Sequence, residues 1–279
     1  MNVQQAVELA TAKFSQISDS ANLDARIIAT YVCNIDQTTL IAHPKLELST
    51  EQKILFDHAL KRRTQGEPIA YITGSKEFWS LDLNVNEHVL IPRPETELLV
   101  ERTLDAISNI KTPRVLDLGT GSGAIAIAIA KERPNCHVTA TDASTPALEL
   151  AKQNAHSNDV TVKFIKSDWF KNLTDGNYDV VVSNPPYIAK NDPELNKFVS
   201  EYEPNNAIIS DDDGLRDLAK IIGHAAAFLS NSGALVVEHG YQQANNVQKL
   251  FANENFCNIK SYSDLAGHLR CTCGIHKGV

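Results

Sequence analysis

The chain has 279 residues, 43% of them hydrophobic and 22% charged, which supplies core enough for one sizeable domain and a smaller one. Its 26 Lys+Arg against 34 Asp+Glu leave a formal net charge of -8, so no general affinity for phosphate backbones is expected. The opening MNVQQAVELATAKFSQ has no basic stretch leading into an apolar one, and no run of about eighteen apolar residues occurs, so neither a secretory leader nor a membrane span is expected and the cytoplasm is the default location.

Val3, Val7, Ala10, Phe14 and Ile17 recur at helical spacing, and Leu23, Ala25, Ile27, Ile28, Tyr31 and Val32 suggest a second helix. Ser49 and Thr50 precede a third, from about Glu51 to Arg63, with Ile54, Leu55, His58 and Leu60 expected on much of its buried side. Three short helices make a bundle without a catalytic constellation, so residues 1–73 read as a recognition domain. Gly66, Pro68 and Gly74 then punctuate the chain, and Phe78, Leu81, Leu83 and Val85 predict extended structure before His88-Val89-Leu90-Ile91, with a hairpin linker over 74–92. Residues 93–279 are expected to form the catalytic domain. It opens on Arg93-Pro94-Glu95-Thr96-Glu97, where Pro94 and Glu95 suit a helix N-terminus by preset dihedral and by charge. On residues alone, Arg93 and Glu97 read as a surface pair or an interdomain contact.

Val115-Leu116-Asp117-Leu118 is a short strand pattern running into Gly119-Thr120-Gly121-Ser122-Gly123, and Ala124 to Ala130 follow as a buried helix. Strand, glycine turn and helix open a doubly wound α/β sheet, so the fold class expected is a Rossmann-like seven-stranded sheet beside a small helical bundle. The spacing is GxGxG, and Asp117 stands just before it. An acid there would repel a pyrophosphate but favours the ammonium of S-adenosylmethionine, directly or through water. No Gly-Lys-Ser/Thr follows, which excludes a Walker A loop. Cys136 to Thr141 form the second strand and end at Asp142, about 20 residues beyond the glycines, where an acid accepts from ribose hydroxyls. Asp142 also suits a helix cap. After a third strand over Val162 to Ile165, Asp168 can accept from the adenine amine and Trp169 can cover its ring or simply fill the core.

The fourth strand, Tyr178 to Ser183, delivers Asn184-Pro185-Pro186-Tyr187 to the sheet's carboxyl edge, where open α/β sheets bind ligands. An amide nitrogen is a poor nucleophile because its lone pair is delocalised, and two acceptors aimed at its hydrogens help. The Asn184 side-chain oxygen and the Pro185 carbonyl can supply them, held stiffly by the double proline through Pro186. Tyr187 can close over a planar substrate group or fix its orientation by packing.

These segments are similar to those of the release-factor glutamine methyltransferases, a subgroup of class I S-adenosylmethionine-dependent enzymes. The resemblance is carried over nearly the whole chain by Gly66-Glu67-Pro68-Ile69-Ala70-Tyr71-Ile72, by Leu90-Ile91-Pro92-Arg93-Pro94-Glu95-Thr96-Glu97, and by Asp117 through Gly123. Asn184-Pro185-Pro186-Tyr187-Ile188, Glu203-Pro204 and Val237-Glu238-His239-Gly240 complete it. It implies methyl transfer to the glutamine of the Gly-Gly-Gln motif in class I peptide chain release factors. Gly119 to Gly123, Asp142, Trp169 and Asn184 would border the cofactor, Asn184 to Tyr187 would hold the glutamine, and the N-terminal bundle with the Arg93 region, including Glu95, would receive the partner.

Ser210-Asp211-Asp212-Asp213-Gly214 is an acidic turn with no convergent partner for a metal, and Cys271-Thr272-Cys273 lacks a second ligand pair, so no metal is expected. The strand Ala234 to Val237, a helix starting at Gly240 to Gln243, and edge strands over Asn258 to Tyr262 and Thr272 to Ile275 complete the sheet. A monomer is expected. Besides a second protein target, such as a ribosomal protein, two alternatives remain on sequence grounds. One is a DNA adenine N6 or ribosomal RNA guanine N2 methyltransferase presenting its amino group to the same loop, against which the acidic charge argues. The other is a catalytically silent binding protein, against which the intact Asp117, Asp142, Asn184 and Tyr187 argue.

Overall fold

Helix-forming stripes fill the first part of the chain and strand-glycine-helix units the rest, and backbone contacts divide it accordingly into Met1–Ser75 and Lys76–Val279. The computed structural model describes residues 1–192 and 201–278. In the first unit, α1 (Val3–Phe14) starts at Asn2, whose side chain accepts from the Gln5 amide while Gln5 returns a bond to the Asn2 amide, a reciprocal cap. It packs with α2 (Ala21–Cys33), α3 (Gln37–Ala42), α4 (Thr50–Thr64) and α5 (Ile69–Thr73) around Phe14, Ile28 and Phe56. The sequence predicts neither α3 nor α5. Both are shorter than two turns, below the length at which periodicity is readable.

The inner face of α4 also departs from expectation. Phe56, Ala59 and Leu60 are buried, whereas Ile54 and Leu55 are 65% and 53% exposed, and His58 is exposed with them. Two apolar stripes compete on this helix. The one that wins carries Phe56 inward and, two turns on, Arg63, whose guanidinium pairs with the Asp24 carboxylate of α2 at 2.9 Å.

In the second unit, β1 (Ser75–Phe78) and β2 (Leu81–Asn84) form a two-stranded hairpin. The His88 to Ile91 segment is irregular, not extended in a strand, and Pro94–Thr96 make a 3-10 turn that leads into α6 (Glu97–Ala106). The main sheet contains β3 (Arg114–Leu118), β4 (His137–Asp142), β5 (Lys163–Lys166), β6 (Tyr178–Ser183), β7 (Leu229–Glu238), β8 (Phe256–Ser263) and β9 (Leu269–His276). Its order is β5-β4-β3-β6-β7-β9-β8, with β9 antiparallel to β7 and to β8 and the other pairs parallel.

Period-two alternation sends Val115, Val180, Val182 and Val236 to one face and Leu116, Leu118, Val181, Leu235 and Val237 to the other. On the first face lies α7 (Ala124–Glu132), apolar all round and buried from Ala124 to Ala130; on the second lie the helices Arg216–Ala225 and Ala244–Asn253. The last of these begins after Gln243, because Gln243 Oε1 accepts the Gly240 amide at 2.8 Å and holds residues 240–243 as a turn. Successive strands turn away from each other at β3 and β6, which opens a crevice at their carboxyl ends.

Candidate active site

Three strand ends meet at that crevice. After β3 the chain turns through Gly119, Gly121 and Gly123, all at positive φ (70°, 56° and 87°), a conformation that only glycine adopts without strain. The turn is braced by Thr120 N–H donating to the Thr141 carbonyl at 2.9 Å and Gly123 N–H donating to Thr120 at 2.8 Å. Asp142, at the end of β4, accepts from the Gly121 amide at 2.9 Å and from the Ser144 amide at 2.8 Å. It therefore locks the glycine turn to the start of α8 (Thr145–Ser157).

One cavity of about 340 Å³ gathers Arg93, Thr96, Gly119, Thr120, Gly121, Ser122, Asp142, Asp168, Trp169, Asn184 and Pro186. Trp169, itself at φ 50°, lays its ring edge so close to Gly119 that a Cβ there would sit 3.2 Å from it. Of the residues singled out from sequence, Gly123 forms the N-cap of α7, Pro185 is buried, Glu95 is exposed, and none of the three lines this cavity.

Asp117 lies fully buried beneath the turn. Its Oδ2 accepts the Thr120 hydroxyl at 2.6 Å, and its Oδ1 has no hydrogen-bond partner among the described residues. Burial pushes its carboxyl up to about 7, with the Asp142 charge adding to the rise and the Thr120 hydrogen bond opposing it. An orphaned acidic oxygen under a glycine turn suits an ammonium-bearing ligand, so the residues present fit S-adenosylmethionine. Asp142 and Trp169 line the same cavity.

The loop Asn184 to Tyr187 is fixed from several sides. Ser183 Oγ donates to the Leu118 carbonyl at 2.8 Å, Gln243 Nε2 donates to the Tyr187 carbonyl at 2.9 Å, and Ile188 bridges Ile209 in parallel. Asn184 Nδ2 donates to the Thr96 hydroxyl at 3.1 Å. The Tyr187 hydroxyl donates to Glu238 Oε1 at 3.0 Å, which anchors its ring to the end of β7. The carboxylate at the end of β7 is the partner that sequence reasoning missed. Arg93 pairs with buried Glu203 at 2.5 Å, and Glu203 also accepts the Ile91 amide at 3.0 Å, so part of the Arg93 charge is already used within the chain. Both acids fall in segments that carry the family resemblance, but nothing in their local spacing indicates whom they bind. Among the described residues no cluster of three or more His, Cys, Asp or Glu could hold a metal.

This sheet order, with its glycine turn, its acid at the end of β4 and a shared cavity at the switch point, defines a class I S-adenosylmethionine-dependent methyltransferase. Solved structures share the fold. A methyltransferase of Pyrococcus furiosus superposes with a TM-score of 0.51 at 21% identity over 71% of this chain and 90% of its own. A T. thermophilus 16S rRNA N2 methyltransferase, in complex with AdoMet and guanosine, gives 0.51 at 17% identity over 72% of this chain and 49% of its own. Residues 94–201 match the family model described as the methyltransferase small domain, and residues 5–74 match the PrmC N-terminal domain.

The release factor glutamine methyltransferase of Salmonella typhimurium is 44% identical over 258 residues, 92% of this chain and 93% of its own, and that of Yersinia pestis is 42% identical over 275 residues, 98% and 99%. The chain belongs to the release factor glutamine methyltransferase family.

Proposed function

We propose that this enzyme methylates the side-chain amide nitrogen of the glutamine in the Gly-Gly-Gln motif of class I peptide chain release factors. The observation that carries this reading is the placement of Asn184 and Pro186 in one cavity with the glycine turn, on a loop whose amide and hydroxyl groups are pre-bonded. Bound S-adenosylmethionine supplies an electrophilic sulfonium methyl. Gly119 to Gly123, with Asp117 beneath them and Asp142, Asp168 and Trp169 around the cavity, would hold it. Asn184 Oδ1 and the Pro185 carbonyl would each accept one hydrogen of the glutamine amide, which turns its nitrogen toward the methyl group. The prolines keep these acceptors in place, so little reorganisation is needed at the moment of transfer. The methyl–sulfur bond would break as the methyl–nitrogen bond forms, leaving a neutral thioether and positive charge on the nitrogen, whose acidified proton would pass to water, so no dedicated base is needed before attack.

Residues 1–73 serve as the recognition domain, 74–92 as a linker and 93–279 as the catalytic domain, with Arg93 and Glu95 toward the protein substrate. The enzyme works as a cytoplasmic monomer and has no direct dealings with nucleic acid or membrane. In support, the formal charge is -8, and among the described residues no helix is long and apolar enough to cross a membrane. The test is mass-spectrometric mapping of label from S-adenosylmethionine on purified release factor, with duplex DNA and ribosomal RNA assayed in parallel. Label on the Gly-Gly-Gln glutamine is expected; label on nucleic acid alone would overturn the substrate assignment while leaving the methyltransferase class intact.

A further inference from the structure

The Asn184 to Tyr187 loop carries two stiff prolines, so it shifts as one piece and its two ends decide where its acceptors stand. The entering end is tied to β3, because Ser183 Oγ donates to the Leu118 carbonyl at 2.8 Å. The leaving end is held by Gln243, whose Nε2 donates to the Tyr187 carbonyl at 2.9 Å and to the Asp213 carbonyl at 3.1 Å, while its Oε1 accepts the Gly240 amide at 2.8 Å. Both amide hydrogens are thereby used. The direction of this side chain is dictated by its partners: backbone carbonyls only accept and a backbone N–H only donates, so an inverted Gln243 amide would lose all three bonds.

Gln243 is itself anchored by the chain on either side. Its N–H donates to the Gly240 carbonyl at 2.8 Å, its carbonyl accepts the Val247 amide at 3.0 Å, and the helix Ala244–Asn253 that follows buries Ala244, Val247 and Phe251. The Asp213 carbonyl reaches it from a turn at positive φ, 54° at Asp212 and Asp213 and 81° at Gly214. At Gly214 a Cβ would fall 2.0 Å from the Tyr187 oxygen and 2.7 Å from Gln243 Nε2, so only glycine lets the turn close against both. Beside that contact, Ser210 N–H donates to the Ile188 carbonyl at 2.9 Å and Ser210 Oγ donates to buried Asp217 at 2.6 Å. The acidic turn over 210–214 is therefore a backstop to the reactive loop.

We propose that Gln243 is a positioning residue for methyl transfer: it fixes the leaving end of the loop and so sets where Asn184 Oδ1 and the Pro185 carbonyl stand toward the substrate amide. It does not line the cavity, and it acts through Tyr187 and the prolines before it. This inference rests on the reading that those two groups accept the hydrogens of a planar substrate nitrogen.

The test measures methyl transfer to release factor by the unaltered enzyme, Gln243→Met and Gln243→Glu across about pH 5.5 to 8.5, with S-adenosylmethionine affinity measured alongside. Methionine has a similar length but donates nothing. Glutamate keeps the acceptor for Gly240; ionised it donates nothing and faces two carbonyl oxygens, whereas protonated it donates to one of them. Those oxygens disfavour its charge, so its carboxyl titrates above the ordinary range and regains its proton as pH falls. Gln243→Met is expected to lower kcat by about 10- to 100-fold at every pH, with KM for release factor moving less than kcat and S-adenosylmethionine affinity nearly unchanged. Gln243→Glu should be as slow as Gln243→Met at high pH and should recover, relative to the unaltered enzyme, as pH falls.

An unaltered kcat in Gln243→Met, a Gln243→Glu rate ratio independent of pH, or cofactor affinity falling in step with kcat would overturn the proposal. If Gln243→Met does not fold, the pH series of Gln243→Glu decides alone. Should the unaltered enzyme label another planar nitrogen, the same series is run on that substrate. The substrate assignment then falls, while the pH series still decides the part of Gln243.

Discussion

At the scale of single residues, buried carboxylates govern the site. Asp117 faces no compensating positive charge among the described residues, and burial pushes its carboxyl up to about 7, far above the ordinary carboxyl value of 3.8. Between those values the folded chain holds a proton that the unfolded chain has released, so the Asp117 contribution makes stability fall as pH rises from about 4 to 7 and level off above. Asp117→Asn removes that titration. The variant should gain stability relative to the unaltered chain as pH rises across this interval, measured as the difference between their melting temperatures, and above about pH 7, where the unaltered carboxyl is ionised, it should bind S-adenosylmethionine more weakly. A melting difference independent of pH would show that Asp117 ionises like an exposed acid. The identity of Asp117 is legible in the sequence from its place before the glycines. Its orphaned oxygen is not, since the burial comes from strands on both sides of β3.

At the scale of elements, short polar links hold the glycine turn and the reactive loop in place. Asn154 of α8 is fully buried and does three things at once. It accepts the Asn84 amide at 2.8 Å, donates to the Asn84 carbonyl at 2.9 Å, and donates to the Ser122 carbonyl at 2.9 Å. It thereby ties the end of β2 and the glycine turn to one helix. Asn154→Ala strands those backbone groups in the interior and is expected to cost about 1–3 kcal/mol, read as a lower denaturant midpoint at unchanged slope.

Gly214 has a comparable part. It sits at φ 81°, and a Cβ there would come within 2.0 Å of the Tyr187 carbonyl oxygen. Gly214→Ala should displace the loop and reduce methyl transfer more than it reduces cofactor binding, measured side by side; equal losses would mean that the whole cavity had deformed. Sequence pattern finds α7, β3 and β6, where composition and period agree. It misplaces the inner face of α4, because two apolar stripes compete there and the choice falls to a salt bridge with another helix.

At the scale of the whole molecule, the residues of the cavity, from His88 to Lys220, lie within Lys76–Val279. A fragment of residues 76–279 is therefore expected to bind S-adenosylmethionine within a few-fold of the full chain while methylating release factor poorly, since recognition is assigned to residues 1–73. Calorimetric titration and a transfer assay on the same preparation check both halves, and full transfer activity in the fragment would remove the N-terminal unit from substrate recognition. What the sequence by itself determined was the order of strand, glycine turn, acid and Asn-Pro-Pro-Tyr loop. These are local signals, set by residues adjacent in the chain and by the period of the backbone they form. The tertiary structure alone decided which groups face one another across that order: Thr96 with Asn184, Glu238 with Tyr187, Glu203 with Arg93, and no hydrogen-bonding group of the described residues with Asp117 Oδ1. Hydrogen bonds and burial depend on distance in space, and the sheet brings together positions that are remote along the chain.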